Sequence, residues 1–228
     1  MIAESRNLTK VYRGKQVVSD VTLKLRGGNI YGLLGPNGCG KTTWMKMMTG
    51  FVKPAKGEVI FDGAPWTYRA KSEIAYMPTE AFFYDFMTVA SVGKYYKDFF
   101  EGFDEEKYEE LVRKVGLDMD MKVRDLSTGM MAKLKVIATM SRKAMLYLLD
   151  EPLNGIDLKA REEIVDVILM TVSAKNVIVI STHLIEEVES FIDNAVFMKD
   201  GKILREFDTE TLRMQEGKSI ADLYRELM

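Results

Sequence analysis

Nine consecutive residues, Gly35 to Thr43 (GPNGCGKTT), bring glycines, a lysine and two threonines together in an order suited to holding phosphate. Glycines let the backbone close tightly, and successive N–H groups then point inward as an anion nest where a helix begins. The run fits G-x-x-x-x-G-K-[ST] in full and sits between the strand-like IYGLL and the helix-like TTWMKMMTG, the context that the pattern needs. Gly35, Pro36, Asn37, Gly38, Cys39, Gly40 and Thr43 would line the phosphates. Lys41 would reach the β- and γ-phosphates, and the Thr42 hydroxyl would help hold Mg²⁺. Cys39, the only cysteine, has two readings: a small side chain required by the loop, or a thiol made reactive by Lys41 and the helix start.

A second chemical element is MLYLLDEP, where an apolar run ends in Asp150 and Glu151. Asp150 suits a Mg²⁺ contact, direct or through water, and Glu151 could polarise an attacking water as general base. Alone this is a weak signal, since strands often end in acidic residues; beside a phosphate loop it is strong. The third element is His183 in VIVISTHLIEEVE, the only histidine in the chain. By position alone it reads more readily as a satisfied polar residue at a strand end.

The elements that would carry these residues follow from patterning. NIYGLLG, MLYLLD and NVIVIST are short β-branched or apolar runs, each followed by a polar turn and a helical stretch, as in an α/β fold with a mainly parallel sheet. VTLKL alternates like a half-exposed antiparallel strand, and AVFMKDGKILREF reads as a hairpin turning at Asp200-Gly201. From about 89 to 140 the spacing is helical with almost no strand signal, which predicts a helical subdomain inserted in the α/β core. Asp104 and Ser127 are candidate caps there. The tail, 209–228, predicts two short amphipathic helices.

The chain has 228 residues, 47% of them hydrophobic and 29% charged, with a net charge of −2. That balance gives no reason to expect nucleic acid as a partner. The longest apolar runs fall far below the roughly 18 residues needed to cross a bilayer, and MIAESRNLTK lacks a signal-peptide layout. One cysteine excludes an internal disulfide. A cytoplasmic protein is expected, able to dock on a membrane protein.

From LTKVY to about Asp208 the sequence resembles the ATP-binding subunits of ABC transporters. DLSTGMMAKLKVIATMSRKAMLYLLDEPLNGID is similar to that family's signature helix, magnesium strand and D-loop in unbroken order. The resemblance implies an N-terminal antiparallel β subdomain, a phosphate-loop core, and ATP with Mg²⁺ as ligands. Two such subunits would pair head to tail, as a homo- or heterodimer, on separate membrane-spanning permease subunits. It also implies roles: His183 as a switch histidine touching the γ-phosphate beside Glu151, Tyr12 stacking on adenine, and Asp157 in the D-loop. Ser127 and Gly129 would present a hydroxyl and an N–H to a phosphate across the dimer. In this chain Thr128 and Met130 replace the family's usual Gly and Gln.

IAYMPTEAFFYDFMTV aligns with the family's Q-loop, but Thr79 stands where glutamine is usual and is too short to reach Mg²⁺ as glutamine does; Glu80 or water would have to fill the gap. Phe82, Phe83, Tyr84 and Phe86 read either as packing of the helical insert or as a cleft for a helix of the membrane subunit. The compact insert, the altered signature and the missing glutamine look more like simple bacterial exporter heads than nutrient importers. A soluble ABC-type ATPase acting on ribosomes or nucleic acid is the alternative; it would usually need two such domains or a long coiled-coil insert. A small-molecule kinase would not need LSTGM or the D-loop.

Overall fold

Two sheets organise the chain in the computed structural model, which describes residues 1–80 and 82–227, the Glu216 side chain excepted. The first is antiparallel, in the order β2-β1-β4-β5, built from β1 (Ala3–Tyr12), β2 (Lys15–Leu25), β4 (Lys56–Phe61) and β5 (Ala64–Pro65). The alternation in VTLKL sets one face inward: Val21, Leu23 and Leu25 are buried, while Thr22 and Lys24 are exposed.

The second sheet has six strands in the order β10-β9-β3-β8-β7-β6. These are β3 (Ile30–Leu34), β6 (Ile74–Met77), β7 (Leu146–Asp150), β8 (Val177–Thr182), β9 (Asn194–Lys199) and β10 (Lys202–Asp208). All its neighbours are parallel except the β9–β10 hairpin. That hairpin turns at Asp200 (φ 49°) and Gly201 (φ 78°), as Asp-Gly predicts. Every residue of β3, β7 and β8 is buried because both faces of the sheet are covered. Along β7, Leu146 and Leu148 face one apolar core with Trp44, Leu8 and Leu23. Tyr147 and Leu149 face the other, with Leu134, Ile137 and Ile164.

Helix α1 (Lys41–Met48) leaves the phosphate loop directly, and its Trp44 donates through Nε1 to Ser5 Oγ at 3.2 Å, pinning it to β1. Between β6 and β7 come α2 (Val89–Phe99), α3 (Glu105–Lys114) and α4 (Thr128–Met140). Their starts are chemically marked. Thr88 and Ser91 form a reciprocal capping box, and Asp104 and Ser127 accept from the N–H groups of Lys107 and Met130. Helix α5 (Leu158–Leu169) is capped by Asp157. Two short helices end the described chain, α6 (Thr209–Glu216) and α7 (Ile220–Leu227); Met228, the last residue of the expected tail, lies outside the described residues. No helix among the described residues is long and apolar enough to cross a membrane.

Candidate functional site

Parallel register decides which strand ends meet. Leu34 of β3 stands beside Thr182 of β8, and Asp150 of β7 beside Ser181. The loop at 35–40, the acidic pair at 150–151 and His183 therefore emerge side by side at the carboxyl ends of three adjacent strands, where open α/β sheets bind ligands.

The loop is packed from below. Gly35 N–H donates to the Thr182 carbonyl at 3.3 Å, and Gly201 N–H from the hairpin donates to the Cys39 carbonyl at 2.9 Å. Gly40, the residue before α1, has φ 113°, which a non-glycine residue rarely adopts. Lys41 is buried, and its ammonium donates to the carbonyls of Gly35 at 2.7 Å and Pro36 at 3.2 Å. Pro36, Asn37 and Gly38 are exposed, while Thr42 and Thr43 are half-buried in the first turn of α1.

Cys39 faces inward. Burial pushes its thiol up from the ordinary range, and Lys41, pulling the other way, does not overcome this. This opposes the reactive-thiolate reading and favours the small-residue one. Maleimide at pH 7 is therefore expected to label the folded protein far more slowly than the urea-unfolded chain; equal rates would show the thiol to be open.

Glu151 has φ 52°, a left-handed conformation that costs a non-glycine residue about 1–2 kcal/mol. Its N–H donates to Ser181, to both the carbonyl and Oγ at 3.1 Å. Its carboxylate lies between two partners: Oε2 is 3.0 Å from His183 Nδ1, and Oε1 is 3.5 Å from Lys41 Nζ. A carboxylate accepts, so Nδ1 carries the hydrogen in this contact. Lys41, Glu151 and His183, distant in sequence, thus form one chain of contacts.

Asp150 is fully buried. Its Oδ1 accepts from the Ser181 hydroxyl at 2.5 Å, and Tyr76 stands 3.4 Å from Oδ2. Burial, with Asp150 next to it, pushes the Tyr76 phenol up, so it remains a donor. Ser181 and Tyr76 escaped the sequence reading; the signal for Ser181 was a polar residue ending an apolar strand two positions before His183.

Thr79 donates through Oγ1 to the Asp150 backbone carbonyl, at a long 3.4 Å, and its own carbonyl accepts from Lys135 Nζ at 2.6 Å. Lys135 lies on α4 and is only 7% exposed. Burial lowers its ammonium pKa to about 8, against the attraction of Glu80 and Asp150. It too was missed, although a lysine inside the apolar run KLKVIATM was the clue.

The remaining candidates sit at the rim. Ser127 is exposed at the start of α4, and Gly129 packs against α5 so closely that a Cβ there would lie 3.2 Å from that of Ala160 and 3.5 Å from Asp157 Oδ2. The turn at 127–129 and the loop at Asp157 therefore touch within one chain. The Ala160 N–H first, and other backbone N–H groups, hold the Asp157 carboxyl below the usual range. Tyr12, 44% exposed at the end of β1, has Lys10 Nζ 5.1 Å from its ring centre. Behind His183, Glu187 pairs with Arg161 of α5 at 2.5 Å, and α7 is tied to the same segment by Arg225 to Glu186 at 2.9 Å.

The aromatic loop divides. Phe83 is buried against Tyr96, whereas Tyr84 and Phe86 are 61% and 74% exposed and stack on each other with ring centres 5.4 Å apart.

A doubly covered parallel sheet with a phosphate loop, an acidic pair and a histidine at its strand ends defines a nucleotide-binding cassette. A family model described as ABC transporter matches residues 18–154, and the chain belongs to that family as a nucleotide-binding domain. It is 35% identical over 227 residues to the uncharacterized ABC transporter ATP-binding protein YcbN of Bacillus subtilis, covering 96% of this chain and 73% of that one. With the lantibiotic transport ATP-binding protein SrtF of Streptococcus pyogenes it shares 33% identity, over 88% of each chain. Among solved structures, the ATP-binding subunit of an ABC transporter superimposes with a TM-score of 0.88 at 25% identity, covering 100% of this chain and 99% of that one.

Proposed function

We propose that this chain binds and hydrolyses ATP with Mg²⁺ and passes the resulting motion to separate membrane-spanning subunits, in an exporter. The observation that carries the reading is the convergence of Lys41, Glu151 and His183 beside buried Asp150 at the mouth of the phosphate loop. The loop N–H groups and Lys41 hold the phosphates, Tyr12 stacks on the base, and Glu151 takes a proton from the attacking water. His183, fixed by Glu151 through Nδ1, turns Nε2 toward the γ-phosphate.

The donor set fits Mg²⁺. Asp150 and the Thr42 hydroxyl are hard oxygen donors, with Thr79 a weaker candidate. Among the described residues no cluster of three or more His, Cys, Asp or Glu could hold a metal. That suits an ion held by one or two protein oxygens, phosphates and water. When bound, it supplies charge neutralisation at the phosphates.

Ser127 and Gly129 close over the nucleotide of a second subunit, head to tail, with Asp157 communicating between the two sites. In this reading the chain is one cassette, its helices within 89–140 forming an insert. In the same reading Tyr84 and Phe86 offer an aromatic surface to a helix of the membrane subunit, and the chain sits on the cytoplasmic face of the membrane. Export is favoured by relatives named for Nod factor export and SkfA peptide export.

Tagged protein recovered from gently solubilised native membranes is expected to bring a polytopic membrane protein with it, and replacing both Tyr84 and Phe86 with serine should lower that recovery at least about fivefold. Recovery of ribosomes or nucleic acid instead would overturn the transport reading.

A further inference from the structure

Lys135 has an environment that a lysine rarely keeps without a task. It lies on the buried stretch of α4, among Leu134, Val136 and Ile137, and a charge in such a place costs stability that a methionine of similar shape would not. Its ammonium grips the Thr79 carbonyl at 2.6 Å. The same residue's hydroxyl reaches the Asp150 carbonyl at 3.4 Å, and the strand leading into Thr79, β6, pairs with β7 up to Met77 and Leu149. Lys135, Thr79 and Glu151 also line one pocket of about 430 Å³, together with Ser127 and Thr128 of the signature turn. A continuous path thus runs from the helix that begins at the signature turn, through the loop at Thr79, to the strand end that carries Asp150.

We propose that Lys135 is a positioning residue: by holding the Thr79 carbonyl it ties α4 to the Asp150 end of β7 and so orients the metal site from the helix side. Thr79 meets the β7 end through its hydroxyl, and the lysine holds its carbonyl from the α4 side. The inference rests on the ATPase reading above. It predicts that metal affinity, rather than nucleotide affinity, depends on this ammonium, because the phosphate loop follows β3 and Lys41 opens α1, away from the α4–Thr79–β7 path. Partners that orient metal ligands typically contribute ten- to a hundredfold to metal affinity, and the indirect path here places the effect near the lower end, about tenfold.

The test titrates Mn²⁺, followed by its electron paramagnetic resonance, into protein saturated with a non-hydrolysable ATP analogue. Metal-free binding of a fluorescent ATP analogue is measured alongside. Lys135→Met is expected to weaken Mn²⁺ about tenfold and leave metal-free nucleotide binding within about twofold. Lys135→Arg, which keeps the donor, should restore Mn²⁺ affinity to within about threefold of the parent. The melting temperature of each variant is measured alongside, so that the loss of Mn²⁺ affinity is read from folded protein. Unchanged Mn²⁺ affinity in the methionine variant overturns the proposal, as does an equal loss in the arginine variant. Parent protein that binds no nucleotide even without metal overturns the ATPase reading itself, an outcome that the metal-free titration identifies separately.

Discussion

Glu151→Gln is expected to cut ATP hydrolysis by about a hundred- to ten-thousandfold while leaving ATP bound. The carboxylate sits between Lys41 at 3.5 Å and His183 at 3.0 Å, beside buried Asp150. Glutamine matches its shape and can still accept from His183 Nδ1, but it is no base and loses the charge that faces Lys41. In barrier terms the loss is about 3–5 kcal/mol, confined to the chemical step. If ATP favours a closed pair of subunits, blocking the chemistry should also hold that pair together, because the ligand can shift the equilibrium only through its preference for one state. Size-exclusion chromatography with ATP and Mg²⁺ should then show a dimer for the variant and mainly monomer for the parent. A glutamine variant that hydrolyses ATP at the parent rate would remove Glu151 from the mechanism.

The second large effect is steric. A Cβ on Gly35 would lie 2.1 Å from the Met198 carbonyl and 2.9 Å from Cys39 Sγ. The first obstacle is backbone of β9, which is held between β10 and β3 in the six-stranded sheet and cannot rotate aside as a side-chain tip could. Gly35→Ala must therefore displace the phosphate loop. Overpacking of this kind costs about 1–3 kcal/mol, and with backbone as the obstacle the upper end is expected. For a chain of this size that lowers Tm by about 6–12 °C. The displaced loop should also lose ATP affinity by at least about tenfold, since its N–H groups and Lys41 no longer converge. Gly38→Ala makes a useful contrast: a Cβ there meets nothing within 4 Å, so its cost is confined to its φ of 79°. Equal melting temperatures for the Gly35 variant and the parent would show that the β9 backbone yields more easily than its place in the sheet implies.

Much of this molecule is legible locally. The run GPNGCGKTT carries the phosphate-loop pattern, and it lies between β3 and α1 as that pattern requires, without reference to anything distant. Ser127 and Asp104 cap the helices they precede, because capping is a contact between residues three apart. The Asp200-Gly201 turn and the alternation of VTLKL are likewise short-range patterns. What stayed ambiguous depended on neighbours from elsewhere in the chain. Whether Cys39 is a reactive thiol turns on its burial, which the Met198 strand and the hairpin impose, and no spacing within the loop reports it. The aromatic loop supported two readings because neighbouring rings divide between them: Phe83 turns inward against Tyr96 while Tyr84 and Phe86 face out.

By itself, then, the sequence determined the class of the fold, the Gly-rich loop between a strand and a helix, and which acidic pair and histidine to weigh, since residue type and strand-end position are properties of short segments. Tertiary structure alone decided that Lys41, Glu151 and His183 touch, and that Lys135 reaches Thr79. The order β3-β8-β7 is a non-local pairing that sets three segments separated by long stretches of chain edge to edge, with Asp150 in register with Ser181. Charge, geometry and hydrogen bonding at the site exist only once that register has closed.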